Sequence, residues 1–274
     1  MTLTLTSYQS PDVDPFWQAL AGHLSRCLGQ PVVFVDDPSW KARLQGLAEG
    51  TIDVGWACGS YYIKFMARPE PRIELLAAPV MAAARYGDRP VYFSDVVVRA
   101  DSPFRHFGDL RGVTWAINEP GSHSGHGAVA LYLKRLGLDW SYFGRVVVSG
   151  AHRRSLALIL TGQVQASAID STVLEAALRR EPGLADRIRV IAAIGPHPIP
   201  PLLVQKHVPS AQREALRRWL LTLHHDPLGR DLLAQAHMAR FAEVSAADYD
   251  PLRSLWVEGS GLLPSAGYDD QDDT

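Results

Sequence analysis

The chain has 274 residues, 47% of them hydrophobic and 20% charged, with a formal net charge of −2 at pH 7. That length buries a sizeable core in one large or two modest domains, and this composition excludes an intrinsically disordered chain. A balance of charge so close to neutral excludes a global field that recruits nucleic acid or an anionic membrane surface. No apolar run is long enough to span a bilayer.

In chain order, Leu3 and Leu5 begin a short strand that ends in a polar turn at Ser7 and Tyr8. Pro15 to Leu28 sets Phe16, Leu20, His23, Leu24 and Cys27 on one face at helical spacing, with Gly29 as the stop. PVVFVDD reads as a strand, Ser39 to Glu49 as a helix capped by Ser39 and ended by Gly50, and IDVGWAC as the next strand. This β-α-β-α-β order predicts a parallel sheet with helices packed on it. A helix over Ser60 to Met66, the strand IELLAAPV and the longer strand PVYFSDVVVRA follow.

The cycle then restarts: VTWAI is a strand, Ala128 to Leu136 a helix, RVVVSG a strand, Arg154 to Leu160 a helix and QASAID a strand. The helix Val173 to Arg180 and the strand RIRVIAAI complete a second unit. From Ser210 onward the pattern is helical, over Arg213 to Leu223, Gly229 to Ala236 and PLRSLW, with no strand of comparable strength. That tail is expected to pack on the first unit and to fray at Asp269 to Thr274. The two cysteines, Cys27 and Cys58, match no metal or redox spacing and are expected as buried free thiols, their pairing left open.

One stretch carries the chemistry. NEPGSHSGHG, residues 118 to 127, places Gly121, Ser122, Ser124 and Gly125 just ahead of a helix. Glycines let backbone N–H groups turn inward, hydroxyls add donors and a helix N-terminus adds partial positive charge, which together make a seat for a small oxyanion. The same residues also read as an ordinary N-cap and turn.

Ligands of open α/β sheets bind beyond the carboxyl ends of the strands. The residues there are Tyr8, Trp56, Ser60, Tyr61, Ser122, His123, Ser124, His126, His152, Asp170 and Ser171, with no lysine or arginine among them. Hydroxyls and imidazoles donate to an oxyanion, and aromatic walls exclude water. Asp170 is a possible acceptor for a protonated ligand oxygen and equally a helix cap, and His152 is a donor or a cap. GSHSG formally matches the G-x-S-x-G nucleophile pattern, but Asp170 follows His152 instead of preceding it, so no catalytic residue is expected. The spacing of His123, His126 and His152 resembles no zinc pattern, so neither metal nor cofactor is expected.

The run from DLRGVTWAI through SGAH and GQVQ to AIDSTVLEA resembles the phosphate, phosphite and phosphonate substrate-binding proteins of ABC importers. Those carry a D-L-x-G-K lead-in, an S-T-S-G loop, a Y-F-x-x-V strand, an S-G-x-H turn, a G-x-V-D-A turn and a D-S pair. The likeness runs from Ser7 to about Tyr249. It implies an α/β, two-lobed type II periplasmic-binding-protein fold, each lobe a mostly parallel sheet flanked by helices, with a two-strand hinge. Lobe 1 is expected at 1–90 and 202–274 and lobe 2 at 91–201, with the ligand cleft between them. By position, Ser122, His123, Ser124 and Gly125 occupy the S-T-S-G loop, Tyr92 the binding tyrosine, His152 the S-G-x-H histidine and Tyr8 the first-strand aromatic.

Two departures stand out: His123 replaces a threonine and Gln165 an aspartate. Relatives that hold an aminoalkyl ammonium use a glutamate near Thr172 and an aspartate near Pro200 or Pro201, and this chain has neither. The resemblance therefore implies a non-enzymatic, monomeric receptor for phosphite, phosphate or a short alkylphosphonate, with an ABC permease as partner and a periplasmic location. The stretch MTLTLTSYQSPDVDPF shows no export signal or membrane anchor, so a cytoplasmic chain, or one whose leader was removed, is also expected. The alternative reading is a cytoplasmic enzyme or sensor of the same fold acting on a small organic anion.

Overall fold

A computed structural model gives the fold and describes residues 2–9, 13–37 and 39–256. Along the chain run β1 (Leu3–Ser7), α1 (Asp14–Leu28), β2 (Val32–Phe34), α2 (Trp40–Glu49), β3 (Val54–Trp56), α3 (Gly59–Met66), β4 (Ile73–Met81) and β5 (Val91–Arg99). Next come β6 (Thr114–Ile117), α4 (Ala128–Arg135), β7 (Arg145–Val148), α5 (His152–Leu160), β8 (Ala166–Asp170), α6 (Ser171–Arg180) and β9 (Ile188–Pro198). The last are β10 (Leu202–Gln205), α7 (Ser210–Thr222), α8 (Pro227–Gln235), β11 (Met238–Ala242) and α9 (Asp250–Trp256). The segment Asp269 to Thr274, expected to fray, lies outside the described residues.

Two compact units result. The first combines the chain up to Val91 with Pro198–Arg253, and the second contains Tyr92–His197. Among the described residues the first unit's sheet has the order β11-β4-β10-β3-β1-β2, and the second unit's has the order β7-β6-β8-β5-β9. Both are mixed. Strands linked by successive helices run parallel, as in β2-β1-β3 and β7-β6-β8, while β10 runs antiparallel to β3 and β4, and β5 antiparallel to β8.

The tail differs from its helical reading. MARFA forms β11, which pairs antiparallel with β4 from Met238↔Met81 to Ala242↔Ala78. Five residues between helices are too few for a strand period to stand out, and β11 is fixed by the free edge of β4 that it covers. Cys27 also departs from expectation. Both cysteines are free, but Cys27 is exposed and Cys58 half-buried. Cys27 keeps the angular position of the α1 stripe but lies in the helix's last turn, past Leu24, the last buried residue of α1.

In the first unit α1 buries Phe16, Trp17, Leu20 and Leu24, and Gly29 ends the helix at φ 62. The Trp17 ring lies 5.1 Å from Trp56 and 6.4 Å from Phe241, so the core ties α1 to β3 and β11. The second unit buries both faces of its sheet. Val96, Val98, Trp115 and Ile117 meet α4 through Val129 and Leu133, while Val97, Ala116 and Ile169 meet Leu156 and Ile159 of α5 and Leu174 of α6. Each fully buried side chain of this size contributes roughly 1.5–3 kcal/mol.

The end of β1 is clamped by Arg43 of α2. Its guanidinium forms a two-pronged pair with Asp14 (3.1 and 2.9 Å), reaches Asp36 at 3.1 Å and donates to the Ser7 carbonyl at 3.0 Å. Arg43 and Asp14 are buried, whereas Asp36 is exposed. Removing one partner of a buried pair leaves an uncompensated charge, so Asp14→Asn is expected to cost roughly 3–5 kcal/mol in urea unfolding. The exposed equivalent, Asp36→Asn, is expected to cost less than about 1 kcal/mol. Equal costs would show that the clamp does not depend on burial.

Candidate functional site

The second unit builds a donor cluster from the carboxyl ends of three parallel strands. β6 pairs with β7 up to Ile117↔Val148 and with β8 through Trp115↔Ala166, so residues following all three emerge on one edge. After β6 comes Asn118 and the loop, after β7 the Ser149–His152 turn, and after β8 Asp170 and Ser171. The antiparallel register Ser94↔Asp170 brings the start of β5, with Tyr92 and Ser94, to the same edge.

The loop closes as a single π-helical turn, His123–Gly127, with Ser122 as N-cap. Such turns concentrate at functional sites. Ser122 Oγ accepts from the Gly125 N–H at 3.2 Å, and the Gly127 N–H donates to the Ser122 carbonyl at 3.1 Å. The hydroxyls of Ser122 and Ser124 lie 3.3 Å apart, and Ser124 Oγ is 2.8 Å from His152 Nε2. Gly125 is required by close approach: a Cβ there would fall 1.9 Å from Asn118 Oδ1. The cap reading of this stretch is met by Ser122, whose hydroxyl and carbonyl hold the Gly125 and Gly127 N–H groups.

The imidazoles are held neutral. Burial lowers the pKa of His152 to about 3, and burial, with a smaller effect of Arg135, lowers that of His197 to about 4. His123 is held well below the ordinary histidine range by burial first, then by His197 and His126. The His123 and His197 rings meet edge to face at 4.6 Å, and Tyr92 lies 6.0 Å from His197. His126 takes a different place: its Nδ1 donates to the Pro120 carbonyl at 2.9 Å and its ring stacks on Trp140 at 5.2 Å, so it braces the loop.

Asp170 and Ser171 both hold backbone. Asp170 Oδ1 accepts from the Thr172 N–H at 2.8 Å and the Thr172 hydroxyl at 2.7 Å, capping α6, while Ser171 Oγ accepts from the Phe93 N–H at 3.0 Å. Burial raises the Asp170 carboxyl to about 6 against the lowering effect of its Thr172 bonds, with Asp95 adding to the rise. Several polar atoms on this edge are shut from solvent without a hydrogen-bond partner: Ser94 Oγ, Asn118 Oδ1, His152 Nδ1 and His197 Nε2.

The candidates of the first unit belong to that unit's own packing. Tyr8 donates its hydroxyl to the Arg43 carbonyl at 2.6 Å, and Trp56 donates Nε1 to the Pro200 carbonyl at 2.7 Å with its ring in the core. Ser60 is fully buried in the first turn of α3, and Tyr61, half-buried, carries Lys64 Nζ over its ring at 5.4 Å. Asn118, Ser94 and His197, which sequence reasoning did not single out, lie on the same edge: Asn118 opens the NEPGSHSGHG stretch, and His197 lies where β9 runs on past the strand read as RIRVIAAI. Among the described residues no three His, Cys, Asp or Glu side chains group as a metal site, and no helix is long and apolar enough to cross a membrane.

Known proteins resemble this chain over nearly its whole length. The family model described as "ABC transporter, phosphonate, periplasmic substrate-binding protein" matches residues 3–249. A phosphonates-binding periplasmic protein of Escherichia coli is 21% identical over 98% of this chain and 79% of its own length. Among solved structures, a binding protein component of an ABC phosphonate transporter from Pseudomonas aeruginosa superposes with a TM-score of 0.80 at 19% identity, covering 93% of this chain and 85% of that one. PhnD1 from Prochlorococcus marinus, in complex with methylphosphonate, superposes with a TM-score of 0.81 at 16% identity, covering 93% and 96%. The fold is thus that of the type II periplasmic binding proteins, and the chain belongs to the family of periplasmic phosphonate substrate-binding proteins of ABC transporters.

Proposed function

We propose that this chain captures a small phosphorus oxyanion, phosphite, phosphate or a short alkylphosphonate, outside the cytoplasm and presents it unchanged, as a monomer, to an ABC permease. The observation that carries this reading is the π-turn of the second unit, where Ser122 and Ser124 stand side by side and Ser124 is bonded to His152. Residues 118 to 127 contain no lysine or arginine, so recognition rests on neutral donors in a water-poor setting, where each hydrogen bond to an anion is strengthened. The proposed ligand set is Ser122, His123, Ser124, Gly125, Tyr92, His152 and Asp170. Tyr8 and Trp56 have their polar atoms committed to carbonyls and are proposed as scaffold.

The Ser124–His152 pair resembles half of a nucleophilic dyad, yet its surroundings favour binding. Asp170 bonds Thr172, and His152 Nδ1 has no hydrogen-bond partner, so no third group orients the imidazole as a base. A histidine with a pKa near 3 is also a weak proton acceptor at neutral pH.

Isothermal titration with phosphite, phosphate, methylphosphonate and sulfate tests the reading, and absence of heat with all four, together with no thermal stabilisation, would sink it. Ser124→Ala is expected to weaken binding by roughly 1–3 kcal/mol and, because it takes the partner from His152 Nε2, to lower the melting temperature without ligand as well. Unchanged affinity in the same titration would make Ser124 a structural residue only. Gly125→Ala must displace Asn118 and is expected to abolish binding, checked by the same titration; retained affinity would show that the close approach is dispensable.

The neutral imidazoles also set a pH dependence. For His123, His152 and His197 the unfolded chain takes up protons below about pH 6.5 while the folded state does not, so their stabilisation is full above that pH. It falls on acidification through the range in which the unfolded histidines take up protons. Asp170 acts oppositely, its contribution being present below pH 3.8 and lost as pH rises through about 6. Three histidines outweigh one carboxyl, so the empty protein's melting temperature should drop between pH 6.5 and 5, and His152→Gln should flatten that profile. A melting temperature that holds steady or rises over this range would contradict the neutral assignments.

A further inference from the structure

The first unit carries a cluster of reactive side chains of its own, on α1. His23 and Cys27 stand one helical turn apart, so their side chains are neighbours on one face. Cys27 Sγ lies 3.7 Å from His23 Nε2, and the same Nε2 lies 3.3 Å from Asp226 Oδ2, at the N-cap of α8. The imidazole is buried at 5% exposure with its ring 5.7 Å from that of Trp219 on α7, whereas the thiol is exposed and free. We propose that Cys27 is a thiol–disulfide exchange site for small external disulfides, with His23 as the proton acceptor and Asp226 as the group that holds the imidazolium. The proposal is independent of the ligand reading above, because all three residues belong to the first unit.

Thiol–disulfide exchange needs sulfur without its proton. The carbonyls at the C-terminal end of α1 carry partial negative charge and oppose a bare thiolate, so the imidazole is the group that enables the reaction. As Sγ attacks one sulfur of the disulfide, the thiol proton passes to the lone pair of His23 Nε2. The carboxylate 3.3 Å away favours the imidazolium so formed. The Cys27 Sγ–S bond forms, the reagent's S–S bond breaks, and the departing thiolate takes the proton from Nε2. Cys27 is oxidised, the departing sulfur is reduced, and the disulfide itself is the only oxidant.

Asp226 is fixed for its part, since its Oδ2 also accepts the Gly229 N–H at 2.7 Å. The other charged and titratable groups around the cluster are Arg26 on α1, His224 and His225 in the turn before Asp226, and Arg230 on α8. The two histidine rings of that turn lie 3.9 Å apart, and Arg230 donates to the His225 carbonyl at 3.1 Å. Cys58 is half-buried at the start of α3 and serves as the internal comparison.

The test exposes the full chain to oxidised glutathione at pH 7 and follows mixed-disulfide formation at each cysteine by mass spectrometry, in the wild type, His23→Gln and Asp226→Asn. Cys27 is expected to react at least about tenfold faster than Cys58, and about fivefold faster than Cys27 of the urea-unfolded chain. In His23→Gln its rate should fall to that of the unfolded chain, and in Asp226→Asn by about threefold. The wild-type rate should follow two ionisations against pH, of imidazole and thiol, and that of His23→Gln only one, a change that a purely structural histidine would not produce. Cys27 reacting no faster folded than unfolded, or an unchanged rate and pH profile in His23→Gln, overturns the proposal. Should His23→Gln fail to fold, the folded-to-unfolded comparison and Asp226→Asn decide.

Discussion

The parallel backbone ladder joining β7, β6 and β8 is the constraint on which the second unit depends. Because Ile117 pairs with Val148 and Trp115 with Ala166 in the same direction, three chain segments leave the sheet at one edge, each next to the others. Both faces of the ladder are covered by helices, so its strands need apolar side chains on either side, and polar residues gather where the strands stop. Ser122, His152 and Asp170 are therefore brought to one edge although they are far apart in sequence. The antiparallel return of β5 brings Tyr92 to the same edge from the opposite chain direction.

Burial then decides what those polar residues can be. An imidazole removed from water without a carboxylate partner stays neutral, and a carboxyl in the same setting gains affinity for its proton. The edge consequently presents hydroxyls, N–H groups and neutral rings, with the Asp170 carboxyl raised by its burial. Under the proposed function such a set would recognise an anion through fixed dipoles, where lysine or arginine would attract any anion.

Much of this was legible before the fold was known. Helix limits followed from Ser39, Gly29 and Gly50, and the two β-α-β-α-β runs announced parallel ladders, because periodicity and caps are local properties of the chain. NEPGSHSGHG announced a donor loop for the same reason. Tyr8 and Trp56, by contrast, were grouped with the donors on their position after strands, and their hydroxyl and indole N–H turned out to face the carbonyls of Arg43 and Pro200. Position after a strand says where a side chain starts; it does not say which neighbour it meets.

The α/β order, the Gly- and Ser-rich composition of residues 118 to 127 and the absence of lysine and arginine there were set by sequence alone, since each depends on residues near one another in the chain. Only the tertiary structure decided that β11 covers the edge of β4, that Ser124 meets His152, and that His197 closes on His123. Those pairings join residues from 28 to more than 150 positions apart. They are set by strand order and by which surfaces bury each other, and no local pattern encodes that choice.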